Sequence, residues 1–70
     1  MWISTATALP KAGQKVFFAA GTMMYRSRFR AEQVQPSDDG PVWITLTGRR
    51  VTHWMDARAF PDGWPDPPSP

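Results

Sequence analysis

The stretch KVFFAAGTMMYRSRFRA, residues 15–31, decides the fold. Lys15 to Ala20 is apolar and aromatic over a length that suits a strand. Gly21-Thr22 follows, and a glycine at the first of two central positions supplies the positive φ of a type II′ hairpin turn. From Met23 to Ala31 the chain alternates. Successive side chains of a strand face opposite sides, so Met23, Tyr25, Ser27, Phe29 and Ala31 share one face. Arg26, Arg28 and Arg30 line the other. The reading is an antiparallel hairpin with an apolar face and an arginine ridge. Lys15, on the first strand, joins the ridge if the register brings it across.

Working outward, Pro and Gly cut the rest of the chain into short pieces. Trp2-Ile3-Ser4 is a short β-prone start, and Leu9-Pro10-Lys11-Ala12-Gly13 is a turn or loop. Pro36-Ser37-Asp38-Asp39-Gly40-Pro41 is a loop. Val42 to Thr47 is β-branched and alternating; Gly48-Arg49-Arg50 turns the chain into a further strand, Val51 to Met55. No window sustains a helical period, although a short helical turn fits residues 56–60. The expected fold is all-β: a small, strongly twisted antiparallel meander or partly open barrel of SH3-like size, with about five short strands. Residues 1–60 form this single domain. Residues 61–70 hold Pro61, Pro65, Pro67, Pro68 and Pro70 and form a Pro-rich tail, extended or folded back on the domain.

Seventy residues make a marginal core, which disulfides, metals or oligomerisation usually reinforce. The chain has no Cys and one His, so disulfides, thiolate zinc sites and imidazole-rich metal sites are excluded, and no cofactor is implied. Its reinforcement is aromatic: four Trp, four Phe and one Tyr. The start of the sequence lacks a basic segment followed by an apolar run, so it does not read as a secretory signal. No segment approaches the roughly 18–20 apolar residues that span a bilayer, so no membrane partner is expected. A marginal core and an open edge strand leave homodimerisation open.

Charge is divided along the chain. Residues 1–31 carry Lys11, Lys15, Arg26, Arg28 and Arg30 and no acid; residues 32–70 carry three arginines against six acids. That division can build one basic and one acidic face, or be ordinary solvated surface.

Trp2-Ile3-Ser4, then Leu9-Pro10 with Gly13-Gln14-Lys15-Val16, then Val51-Thr52-His53-Trp54-Met55 occur in a telling order. The chain resembles a family of short phage- and prophage-encoded proteins of unknown function. Their pattern runs W-I-S/P-V, L-P-x-x-G-x-x-V-L-V, a variable middle, then V/I-T-H-W-M-P-L-P. The T-H-W-M element is the most specific. Here Asp56-Ala57-Arg58-Ala59-Phe60 stands where the family continues directly as P-L-P. The resemblance implies a mobile-element accessory protein working in the cytoplasm of a bacterial host.

Nothing in the spacing assembles a catalytic site. His53 has no nucleophile and orienting group at defined offsets, and it reads as a structural histidine between Thr52 and Trp54. Asp38-Asp39-Gly40 is explained by turn chemistry, since a calcium loop needs more oxygen ligands and a terminal Glu. The expected function is therefore binding without catalysis. Arg26, Arg28, Arg30 and Lys15 are the candidate partner-binding residues, as a row able to engage carboxylates or phosphates. Trp64 is the candidate anchor, either folded back over the domain or held in a partner's pocket. Pro67 and Pro70 satisfy a bare P-x-x-P. The leading expectation is a phage inhibitor that binds a host or defence protein, an anti-CRISPR being one instance. The alternative is a small single-stranded DNA- or RNA-binding barrel. Against it, Tyr25 and Phe29 face away from the arginines, and the net charge of +2 is low for a phosphate binder.

Overall fold

The computed structural model describes residues 1–68; Ser69 and Pro70, and with Pro70 the P-x-x-P match, lie outside the described residues. Six short strands and two single turns of 3-10 helix build the fold: β1 (Ile3–Ser4), β2 (Lys15–Ala20), β3 (Met23–Arg28), β4 (Val34–Gln35), β5 (Val42–Trp43) and β6 (His53–Asp56). The helical turns are Ala31–Gln33 and Ala57–Ala59, the second within the 56–60 region read as a short helical turn. The fold is all-β, and every pairing is antiparallel.

The hairpin forms as its sequence directs. Gly21 sits at φ 63°, and Thr22 is not in the left-handed region. A type II′ turn needs that combination, and a type I′ turn does not allow it. A two-residue loop makes Ala20 face Met23, and the register then runs without a slip to Lys15 opposite Arg28. The second strand is shorter than its alternation implied. It stops at Arg28, because the chain turns at Ala31–Gln33; Ala31 is exposed instead of facing the core.

The strand order is β1-β6-β2-β3, with β4-β5 as a separate two-stranded sheet. Neither sheet closes into a barrel, and only β2-β3 and β4-β5 join sequence neighbours, so the arrangement is more than a meander. The Val42–Thr47 alternation narrows to two residues of strand. After Ile44, which bridges Arg50, the chain reverses through a turn from Thr45 to Arg49. The strand expected at Val51–Met55 starts two residues later. Val51 donates to the Trp43 carbonyl and Thr52 to that of Ala19, so this pair carries the chain from one sheet to the other.

β2 is buried on both faces from Val16 to Ala20. On one face Val16, Phe18 and Ala20 pack with Trp54, Trp43, Val51 and Phe29. A run of rings threads this core: Tyr25 stacks on Phe18 at 5.0 Å, Phe18 meets Trp43 at 4.8 Å, and Phe29 sets its edge to Trp43 at 4.8 Å. Rings at these separations add about 0.5–1.5 kcal/mol per pair beyond their buried area. The buried indoles keep hydrogen bonds, Trp43 to the Gln33 side chain (3.1 Å) and Trp54 to the Ala8 carbonyl (2.9 Å). On the other face Phe17, Met55 and Ala57 form a second cluster with Trp2. The tail closes over it: Trp64 lies 5.3 Å from Phe17, Pro65 is buried, and the Trp2 indole donates to the Asp66 carbonyl at 2.8 Å.

Candidate functional site

The hairpin register assembles the site. Lys15 lies opposite Arg28 and Phe17 opposite Arg26, so these four side chains share the face away from the main core. Lys15, Arg26 and Arg28 are exposed, and no acid occurs on either strand. Among the described residues none of the three makes an ion pair. Arg26 lies over the Phe17 ring, 5.6 Å from its centroid, a cation–π contact of about 0.5–1 kcal/mol at an exposed position. Arg28 donates through Nη1 to the Gly13 carbonyl at 2.9 Å, which fixes its stem and leaves its other donors outward.

Arg30 departs from the expected row. It lies beyond the end of β3, at the start of the Ala31–Gln33 turn, and its guanidinium faces Glu32 at 3.8 Å with both side chains exposed. The ridge is therefore Arg26 and Arg28, extended sideways by Lys15 and not lengthwise by Arg30. Trp64 takes the folded-back arrangement, yet it stays 55% exposed. It rests on the same Phe17 ring that Arg26 covers. The basic face thus carries an accessible aromatic, which the sequence reading did not place there.

A groove of about 420 Å³ runs beside β3. Tyr25, Arg26 and Arg28 line it together with Thr45, Leu46 and Thr47. Of these, Leu46 is 89% exposed. A second hollow of about 380 Å³, lined by Lys15, Arg26, Ser27 and Arg28, adjoins it. Arg26 and Arg28 border both.

The other candidates have local partners. His53 Nδ1 lies 3.0 Å from the Thr52 hydroxyl. Both Asp56 oxygens are engaged: Oδ1 accepts from the Arg58 backbone N–H and Nε, and Oδ2 from Arg58 Nη2 and Gln14 Nε2. The Arg58 side-chain bonds, then its backbone N–H, hold this carboxyl well below the usual carboxylate range. Asp38 and Asp39 are exposed in a turn closed by Ser37 and Gly40. Among the described residues no three His, Cys, Asp or Glu side chains group to hold a metal ion. No helix there is long and apolar enough to cross a membrane.

A family model described as "Protein of unknown function (DUF551)" matches residues 1–62. The chain belongs to the DUF551 family. The match covers the hairpin, both sheets and the Asp56–Arg58 pair and stops short of Trp64. No curated protein matches this DUF551 chain, and no solved structure does.

Proposed function

We propose that this DUF551 protein is a non-enzymatic, phage- or prophage-encoded module that binds a bacterial host or defence protein in the cytoplasm and inhibits or redirects it by covering part of its surface, as an anti-CRISPR does. The observation that carries the reading is the row of Lys15, Arg26 and Arg28, three exposed cations on one face with no acid among them. An uncompensated row of this kind steers and orients an acidic partner, and two guanidinium forks can each grip a carboxylate. The phage setting rests on the W-I-S, L-P-x-x-G and V-T-H-W-M segments. The non-enzymatic reading rests on His53 and Asp56: among the described residues the His53–Thr52 contact has no third group to orient it, and Asp56 is engaged by Arg58 and Gln14.

Affinity capture from a nuclease-treated bacterial lysate tests it, with the wild-type chain beside the Arg26→Glu/Arg28→Glu variant. One dominant partner held by the wild type and lost by the variant is the expected result. A partner retained equally by both would overturn the assigned face.

One observation favours a second reading, binding of single-stranded nucleic acid. Trp64 offers an exposed ring beside Arg26, and stacked bases beside cations are how small β-domains hold single strands. A gel shift on single-stranded DNA and RNA that weakens with rising salt and with Trp64→Ala would establish it; no shift at low salt would remove it.

A further inference from the structure

We infer that the free edge of β3 takes up an extended acidic segment of the partner as an added antiparallel strand. This rests on the basic-face reading above and names the form in which the partner is held.

β3 is the last strand of its sheet, so among the described residues no strand pairs with its outer side. The Phe29 N–H donates to the Gln14 carbonyl at 2.8 Å, which fixes the alternation: odd-numbered residues of β3 bond toward β2. Met24, Arg26 and Arg28 then aim their N–H and C=O groups outward. Among the described residues no backbone group bonds to them there. Long open edges are normally blunted by a proline, a bulge, a covering element or charged side chains. β3 carries only the charges of Arg26 and Arg28, which repel a like-charged strand and leave the edge open to an acidic one. The six residues of β3 contain no proline and pair with β2 without a bulge. Among the described residues a groove of about 420 Å³ lies alongside it.

The same three residues choose the occupant. Their side chains stand on the basic face, so an incoming strand sets every second residue directly across from Arg26 and Arg28. A second copy would bring arginine against arginine in the antiparallel pairing, which is repulsive. Carboxylates at positions i and i+2 satisfy both guanidinium groups. The residue between them turns to the opposite face of β3, where Tyr25 offers apolar surface; the exposed Leu46 lines the same groove. The recognised pattern is acidic–apolar–acidic in extended form, in the manner of peptides that extend a sheet.

The probe is a synthetic peptide, Thr-Glu-Val-Glu-Val-Glu-Thr, titrated into the full chain by fluorescence anisotropy. The expected result is saturable binding that weakens by about tenfold or more in the Arg26→Glu/Arg28→Glu variant. Backbone N-methylation leaves the protein untouched and separates strand addition from bulk charge. Methylating the amides that face β3 abolishes binding, while methylating the alternate amides preserves it. In ¹⁵N-labelled protein, the Met24, Arg26 and Arg28 amides become protected from exchange on binding. Equal binding of both methylated peptides, or of an unstructured poly-glutamate, overturns strand addition and leaves the basic-face reading standing. No binding of the peptide overturns strand addition too; the lysate capture then decides whether the basic face still holds a partner. A single-stranded oligonucleotide that binds where the peptide does not sets both aside.

Discussion

The Trp2 indole N–H donates to the Asp66 carbonyl oxygen at 2.8 Å, joining residues 64 positions apart. This bond and the Trp64–Phe17 contact hold the tail across the second hydrophobic cluster. Trp2→Phe keeps a ring and removes the donor. The loss of one hydrogen bond, about 1 kcal/mol, lowers the melting temperature by about 4–8 °C in a domain of this size. Limited proteolysis of the variant is expected to cut first between Phe60 and Trp64. An unchanged melt and cleavage pattern would show that the clasp does not hold the tail.

Trp43 is 1% exposed and touches both Phe18 and Phe29. Trp43→Ala is expected to cost about 3–5 kcal/mol, a large share of the total stability of a small domain. Circular dichroism of the variant at 25 °C should show an unfolded chain. Trp43→Phe retains a ring, gives up the bond to Gln33, and is expected to stay folded with a lower midpoint in urea.

Gly21→Ala isolates the cost of the turn. A methyl group there would meet only Arg49 Nη1, at 3.9 Å, which is ordinary contact. The penalty therefore comes from the positive φ alone, about 1–2 kcal/mol. Urea denaturation measures it, and a cost near zero would mean the turn adopts another geometry.

Asp56 ties acid sensitivity to one contact. Its carboxyl titrates below the unfolded value of about 3.9, first because the Arg58 side chain bonds it and next because it caps the Arg58 N–H. A folded-state value that is depressed contributes stability in full above the unfolded value. That contribution is lost as pH falls below about 4 toward the folded value. Urea midpoints at pH 7 and pH 3 are expected to differ less for Asp56→Asn than for the wild type. An equal pH response in the two proteins would assign the acid limb to other carboxylates.

The hairpin and its basic face were legible because their geometry is local. A two-residue loop after Ala20 fixes every pairing of the two strands, so Lys15 opposite Arg28 follows from the turn itself. The same arithmetic puts Phe17 across from Arg26. A buried ring and an exposed guanidinium do not by themselves suggest one face, so only the register reveals it. β4 was missed because Val34–Gln35 is too short to show alternation, and Pro36 follows it at once. The order β1-β6-β2-β3 was not legible, because choosing β6 as the neighbour of β2 depends on contacts between segments over 30 residues apart. A tail folded back through Trp64 is within reach of the sequence, but its companions on Phe17 depend on the same long-range assembly.

β6 is the last strand in sequence, yet it lies between β1 and β2. A chain leaving the ribosome can close the β2–β3 hairpin early, since its ends are neighbours. It has no place to dock β1, and no partner for the second edge of β2, until residues 53–56 have also emerged. Folding of the whole sheet thus waits for residues 53–56 and is not spread along the segments before them, and during that interval Phe17, which packs with Met55 and Ala57, is the surface a chaperone would meet.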